Sequence, residues 1–195
     1  METDAERHPL KPFLPENARL LLLGSFPPPK ARWCMEFFYP NPQNDMWRVM
    51  GLIFFGDRDH FIKGDKVFDY EMITSFCKQQ GIAIYDTATA VRRLRGNASD
   101  EFLDIVEPTD IAKLLGQIPL CHDVCCTGQK SLDTLIKTYG CHKPAIGEYC
   151  ETQIGSRPVR LWRMPSTSRA YPLAIEKKAL AYKTAIERAF FAINS

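Results

Sequence analysis

The chain has 195 residues, 45% of them hydrophobic and 25% charged, an ordinary globular composition that excludes a disordered chain and suffices to bury a core. Its net charge of +2 and pI of about 8.1 neither demand nor exclude a polyanionic partner. No apolar run approaches the ~18 residues of a membrane span, and the charged stretch Met1–Pro9 is no signal peptide, which predicts a protein off the membrane, cytoplasmic or, in a nucleated cell, nuclear. Length predicts one domain over residues 1–195 and a monomer.

In chain order, Arg19–Leu23 is a continuous apolar run ended by Gly24, the signature of a strand buried on both faces. Pro27-Pro28-Pro29 then forbids regular structure and predicts a rigid loop. Met46, Val49, Met50, Ile53 and Phe54 recur at helical spacing, with Asn44 or Asp45 as N-cap. A second helix is predicted over about 67–79, closed by Gly81, and a strand over Ile82–Tyr85 that stops at Asp86. Pro108 precedes a short helix at 110–116. Asp123–Cys126 is a third strand, and 128–139 a helix with Leu132, Leu135, Ile136 and Tyr139 on one stripe. Val159–Arg163 alternates apolar and basic residues as a fourth strand. The last helix buries Ile175, Ala179, Tyr182, Ile186, Phe190 and Ile193.

Strand and helix alternate four times, which predicts an α/β fold: a three-layer α/β/α domain around a central, mainly parallel sheet of about four strands. Ligands bind such sheets outside the carboxyl ends of the strands. The segments just past the four strands are 24–29, 86–89, 127–128 and 165–169, and they are expected to converge on one cleft.

Seven cysteines are present with no Cys-x-x-Cys repeat. The echo of Cys121-His122 in Cys141-His142 offers four metal ligands, but lacks the compact spacing of structural zinc sites, so reduced thiols, no metal and no cofactor are expected. There is no Gly-x-Ser-x-Gly elbow for a serine hydrolase, and Gly24-Ser-Phe-Pro27 lacks the glycines and lysine of a phosphate-binding loop. Cations cluster at Arg92-Arg93-x-Arg95, at Arg157, Arg160 and Arg163, and at Arg169.

Two segments are distinctive: Leu23-Gly-Ser-Phe-Pro27 followed by Phe38-Tyr-Pro-Asn-Pro-Gln-Asn-Asp-Met-Trp47, and Met164-Pro-Ser-Thr-Ser168 after the fourth strand. Together with Gly81-Ile-Ala-Ile-Tyr-Asp86 and Pro108-Thr-Asp-Ile111, they resemble the uracil-DNA glycosylase superfamily over residues 18–171, most nearly its hypoxanthine-DNA glycosylase branch. The resemblance implies a glycosylase fold and a DNA glycosylase acting on DNA with a damaged or deaminated base (hypoxanthine, uracil or xanthine). It also implies that Asn44 is catalytic, Tyr39 stacks on a flipped base, Ser166 meets the departing base, and Arg169, Ala170 and Tyr171 enter the duplex as a wedge. The chain departs from the pattern at Phe26, where the best-known uracil glycosylases carry a water-activating Asp or Asn. It departs again at Thr127, where the branch offers an Asn to the base.

The residues keep plainer alternatives beside these roles. Hydrolysis of an N-glycosidic bond needs a water held near C1′, an oxocarbenium-like sugar stabilised and the leaving base hydrogen-bonded. Asn44 can orient the water, or simply cap a helix; Asp86 is the alternative base, or an aspartate that fastens a loop. Phe38 and Tyr39 are stacking candidates, or a packed loop. Gly24, Ser25, Phe26 and Thr127 complete the expected base pocket. Pro27, Thr167, Ser168, Arg169, Tyr171 and Arg92 are the expected DNA contacts, although Ser166–Ser168 can equally cap the final helix and the Arg92 run can be a solvated face. A catalytically weak or inactive relative that binds damaged or single-stranded DNA is the competing expectation.

Overall fold

The structure is a computed structural model that describes residues 5–94 and 103–191. Two expectations, Arg95 and Ile193, lie outside the described residues. The strands are β1 (Glu6–Arg7), β2 (Leu20–Gly24), β3 (Ile82–Asp86), β4 (Ala88–Arg93), β5 (Leu103–Pro108), β6 (Asp123–Cys126), β7 (Tyr149–Ile154) and β8 (Arg157–Arg163). The helices are α1 (Met46–Phe55), α2 (Tyr70–Gln80), α3 (Ile111–Gln117), α4 (Gln129–Tyr139) and α5 (Ile175–Phe191).

The architecture is mixed α/β around a mostly parallel sheet of order β3-β2-β6-β8-β7. The four strands expected from the sequence are its parallel members. A fifth, β7, pairs antiparallel to β8 at the edge. Leu20–Leu23 are fully buried, as a strand flanked on both sides must be. Helix α5 packs on α1 and against β2 and β6, α4 lies against β6 and β7, and α2 against β3. A second, smaller antiparallel sheet of order β1-β4-β5 was not foreseen. It has its own apolar cluster of Phe26, Ala88, Val91 and Leu103.

Register decides where the loops emerge. Gly24 pairs with Asp86, Leu23 with Cys126, and Cys126 with Arg163, so all four parallel strands end at one level. Helix ends follow their chemistry. Asp69 and Asp110 accept hydrogen bonds from Met72 N and Lys113 N at the starts of α2 and α3. Gly81 ends α2 with φ 74°, and a Cβ there would lie 2.5 Å from the Asn17 carbonyl oxygen, so only glycine fits. The N-terminal segment closes the outer edge of β3, where Phe13 and Ile84 exchange backbone hydrogen bonds of 3.0 and 2.9 Å.

The Arg157–Arg163 cluster is structural. Arg157 donates to the Ile118 and Cys121 carbonyls, and Arg163 to the Pro144 carbonyl and Gln129 Oε1. Arg160 grips the buried Asp123 carboxylate at 2.7 and 2.6 Å, and Trp162 Nε1 donates to the same carboxylate at 2.8 Å. Two cysteines depart from the expectation of thiols: Cys141 and Cys150 form a disulfide that ties the segment after α4 to β7. The other five are free, and burial pushes the Cys121 thiol up to about 12. Among the described residues no three His, Cys, Asp or Glu side chains gather as a metal site. No described helix is long and apolar enough to cross a membrane.

Replacing Asp123 by alanine leaves the indole N–H and a partly buried guanidinium unpaired. Asp123→Ala is expected to cost about 3 kcal/mol, read as a lowered urea midpoint at unchanged slope. A midpoint within experimental error of the parent contradicts this account of the β6–β8 pair.

Candidate active site

The loops leaving β2, β3, β6 and β8 meet, with the segment before α1, around a cleft of about 800 Å³. Every expected site residue except Arg92 lines it. Arg92 sits on β4 and faces Asp104 across the hairpin at 3.9 Å, outside the cleft wall. Its neighbour Arg93 is spent on Glu6 and on the Pro27 carbonyl, where it clamps the proline loop.

Gly24 forms the floor because nothing larger fits. A Cβ there would come within 2.3 Å of Asp86 Oδ1. Asp86 is nearly buried, and its Oδ2 lies 2.8 Å from Nε2 of His8, which is also buried. Phe26 and Phe38 reach the cleft but are packed away, Phe26 in the small-sheet core and Phe38 against Phe37 and Tyr85. Phe38 is therefore enclosed, and half-buried Tyr39 is the better stacking candidate of the two.

Tyr39 adopts φ 50°, a conformation that costs a bulky residue about 1–3 kcal/mol and persists only when its surroundings over-determine it. Its ring packs edge-on against Trp47, and its hydroxyl lies 2.8 Å from Thr127 Oγ1. Thr127 Oγ1 donates to the Leu23 carbonyl at 3.2 Å. A threonine hydroxyl has one proton, so Tyr39 must be the donor between the two. Burial, then the Asp86 charge, pushes the Tyr39 hydroxyl well above the usual tyrosine range, so it stays a donor.

Asn44 lines the cleft with its side chain anchored. Its Oδ1 accepts the Met46 amide at 2.9 Å, a cap-like bond that fixes the side chain, while Asp45 takes the N-cap position of α1 by backbone geometry. The bond also settles the amide's orientation and leaves Nδ2 as the donor end of a residue that lines the cleft. Residues 43–45 and 167–169 are stitched together by Asp45 N to Thr167 O at 2.8 Å and Arg169 N to Gln43 O at 3.1 Å, which pair Asn44 with Ser168 as an antiparallel bridge.

Below that stitch lies a charge cluster. The buried Asp45 carboxylate is 3.0 Å from Arg169 Nε, 3.7 Å from Lys178 Nζ and 3.8 Å from Arg48 Nη1. Lys178 also donates to the Ser168 carbonyl at 2.9 Å, and burial lowers its proton affinity against the opposing pull of Asp45. Ser166, Thr167 and Ser168 do not cap the last helix, which begins at Ile175. Ser166 and Ser168 instead accept from Ser168 N and Ala170 N, turning the loop tightly.

No protein-family model matches the chain. Over 120 residues, 60% of this chain and 68% of the relative, it is 29% identical to a hypoxanthine DNA glycosylase of Methanosarcina acetivorans. A solution NMR structure of a candidate uracil DNA glycosylase from the same organism shares the fold, with a TM-score of 0.64 and 22% identity over 94% of this chain and 99% of that one. In sequence the chain is thus similar to a protein named as a DNA glycosylase, and in fold to a protein named as a uracil DNA glycosylase.

Three residues at or behind the cleft wall escaped the sequence reading: His8 and Lys178 behind it, and Arg32 on its rim. His8 has no neighbouring signal, since it arrives from an irregular N-terminal segment. Lys178 had one: it lies three residues after Ile175 and four before Tyr182, a charge on the buried stripe of α5. Arg32 is exposed at the cleft rim in the short turn after the three prolines, where only proximity to the motif would have marked it. Asp86 is the one carboxylate among the described cleft residues, facing the cations Arg32 and Arg169.

Gly24→Ala should force Asp86 off His8 and cost about 1–3 kcal/mol, measured as a lowered melting temperature. Unchanged melting would show that the floor has slack the geometry denies.

Proposed function

We propose that the protein is a monofunctional DNA glycosylase that hydrolyses the N-glycosidic bond of a flipped, deaminated base, hypoxanthine ahead of uracil and xanthine, in base excision repair. The frame is one three-layer domain over residues 1–195, working as a monomer, in the cytoplasm or nucleus. The observation that carries this reading is the open cleft in which Tyr39 and Asn44 share one wall system with Thr127 and Ser166, although these residues lie far apart in the chain.

The proposed chemistry follows from that placement. Rotating a nucleotide out of the stack costs a few kcal/mol, and stacking on the Tyr39 face returns about 1–3 kcal/mol. Asn44, fixed by its bond to Met46, holds a water through Nδ2 and leaves a carbonyl lone pair near the sugar as positive charge develops. Ser166, Gly24 and Ser25 supply polar contacts to the base. Arg169, Tyr171, Thr167, Ser168 and Pro27 border the cleft where the DNA strand would run, with Arg32 a further cation for a phosphate. No lysine lines the cleft among the described residues, and Lys178 is buried against Asp45 and Ser168. An amine able to form an imine with the sugar is therefore lacking from the wall, which favours simple hydrolysis over strand cleavage.

Thr127 supports the competing reading of a weak or inactive relative that only binds damaged or single-stranded DNA. Its hydroxyl is committed to Leu23 and Tyr39 rather than left to read a base.

One assay separates the two. Oligonucleotides carrying hypoxanthine, uracil or xanthine are incubated with the protein and then treated with alkali to reveal abasic sites. Breaks are expected after alkali alone, hypoxanthine giving the most, with Asn44→Ala at least about a hundredfold slower. Binding without breaks would contradict the catalytic reading, and breaks before alkali would contradict a monofunctional one.

A further inference from the structure

The one carboxylate among the described cleft residues is held by a histidine from outside the motifs. We propose that His8 is a positioning residue that holds Asp86 with Oδ1 turned to the flipped nucleotide, making Asp86 the base that takes the proton from the attacking water. This assignment rests on the glycosylase reading and deepens it.

His8 is placed from both sides. Glu6 and Arg7 pair with Val91 and Ala90 of β4, and His8 N donates to the Thr89 carbonyl at 2.9 Å. Further along, Phe13 is locked onto Ile84 of β3. Between these anchors the imidazole is buried among Phe26, Phe38 and Tyr85, with centroids at 5.2, 6.1 and 4.7 Å. Its Nδ1 lies 3.1 Å from Leu10 N and 2.9 Å from Leu10 O. If Nδ1 accepts from Leu10 N, the ring is neutral with its proton on Nε2; if Nδ1 donates to Leu10 O, the partner carboxylate still requires a proton on Nε2. Both states direct Nε2–H at Asp86 Oδ2.

The carboxylate is thus fixed at Oδ2, while Oδ1 packs over Gly24 without a hydrogen bond to any described residue, and both Gly24 and Asp86 line the cleft. Thr109 Oγ1 adds a second fastening by donating to the Asp86 backbone carbonyl at 2.7 Å. An aspartate that served only to tie down the loop would need no oxygen left without a partner beside a cleft-lining glycine. The step balances as follows. Water oxygen bonds to C1′ while the C1′–N bond breaks, and that electron pair leaves on the base. The water proton passes to Asp86 Oδ1, the base takes a proton from solvent, and Asp86 returns its own to solvent. A carboxylate can accept that proton near neutral pH, whereas the Asn44 amide can only orient the water.

The test measures single-turnover base release and, separately, affinity for abasic-site DNA, in the full-length protein and in His8→Leu, His8→Gln, Asp86→Asn and the His8→Leu/Asp86→Asn double variant. Glutamine reaches about as far as the ring Nε2 and keeps a donor. The expected result is a release rate at least tenfold lower in His8→Leu and Asp86→Asn, recovery in His8→Gln to within about threefold of the parent, and no further loss in the double variant, with affinity unchanged. Losses that multiply in the double variant, an unaffected His8→Leu, a fully active Asp86→Asn or a change in affinity alone would overturn the assignment and leave the glycosylase reading standing. If His8→Leu does not fold, His8→Gln against Asp86→Asn decides, and a glutamine variant as slow as the asparagine variant overturns it. A parent protein that releases no base overturns the glycosylase reading and this assignment together.

Discussion

The cleft depends on a clasp between residues 43–45 and 167–169, segments 124 positions apart that hydrogen-bond across the carboxyl edge of the sheet. Parallel pairing in register brings four loops to one level, but it does not join them. The clasp does, by binding the loop before α1 to the loop after β8. Two backbone hydrogen bonds contribute only about 1 kcal/mol each, and a buried ion-pair cluster adds little net stability once desolvation is counted. Their contribution is geometric. Asn44 and Ser168 are bridged, so Tyr39, five residues before Asn44, cannot drift from the wall that Ser166 occupies.

Charge placement follows the same constraint. A weakly basic chain conceals how its cations are used. Arg93, Arg157, Arg160 and Arg163 hold backbone carbonyls or buried acids, and Arg48 and Lys178 surround Asp45. Among the described residues, the cations that line the cleft are Arg32 and the partly exposed Arg169, and its one carboxylate is Asp86, held by His8. A polyanion would meet the rim cations, and a nucleotide lifted into the cleft would meet the acid.

Much of this was legible in the sequence where the signal was local. Leu20–Leu23 announce a doubly buried strand, Gly81 a helix end, and the two motifs a shared cleft. The small sheet was not legible, because β5 is largely exposed and β4 follows β3 after a single residue, so the two read as strand and loop. The edge strand β7 alternates polar and apolar residues too weakly to stand out. Nor can spacing show that Arg160 and Trp162 share Asp123, or that Thr127 is committed to Tyr39; both are pairings across strands or loops, set by tertiary register. Arg92 falls outside the cleft wall for the same reason, its place being set by the pairing of β4 with β5, which the arginine run does not reveal.

The central claim is that one extruded base occupies the cleft against Tyr39. A crystal structure of the protein with an oligonucleotide carrying a 2′-fluorinated, uncleavable deoxyinosine tests it most directly. The account predicts the hypoxanthine ring out of the duplex, stacked on Tyr39, with Asn44 Nδ2 and Asp86 Oδ1 on the side of C1′ open to water. A base still stacked in the duplex, or seated away from Tyr39, would contradict it.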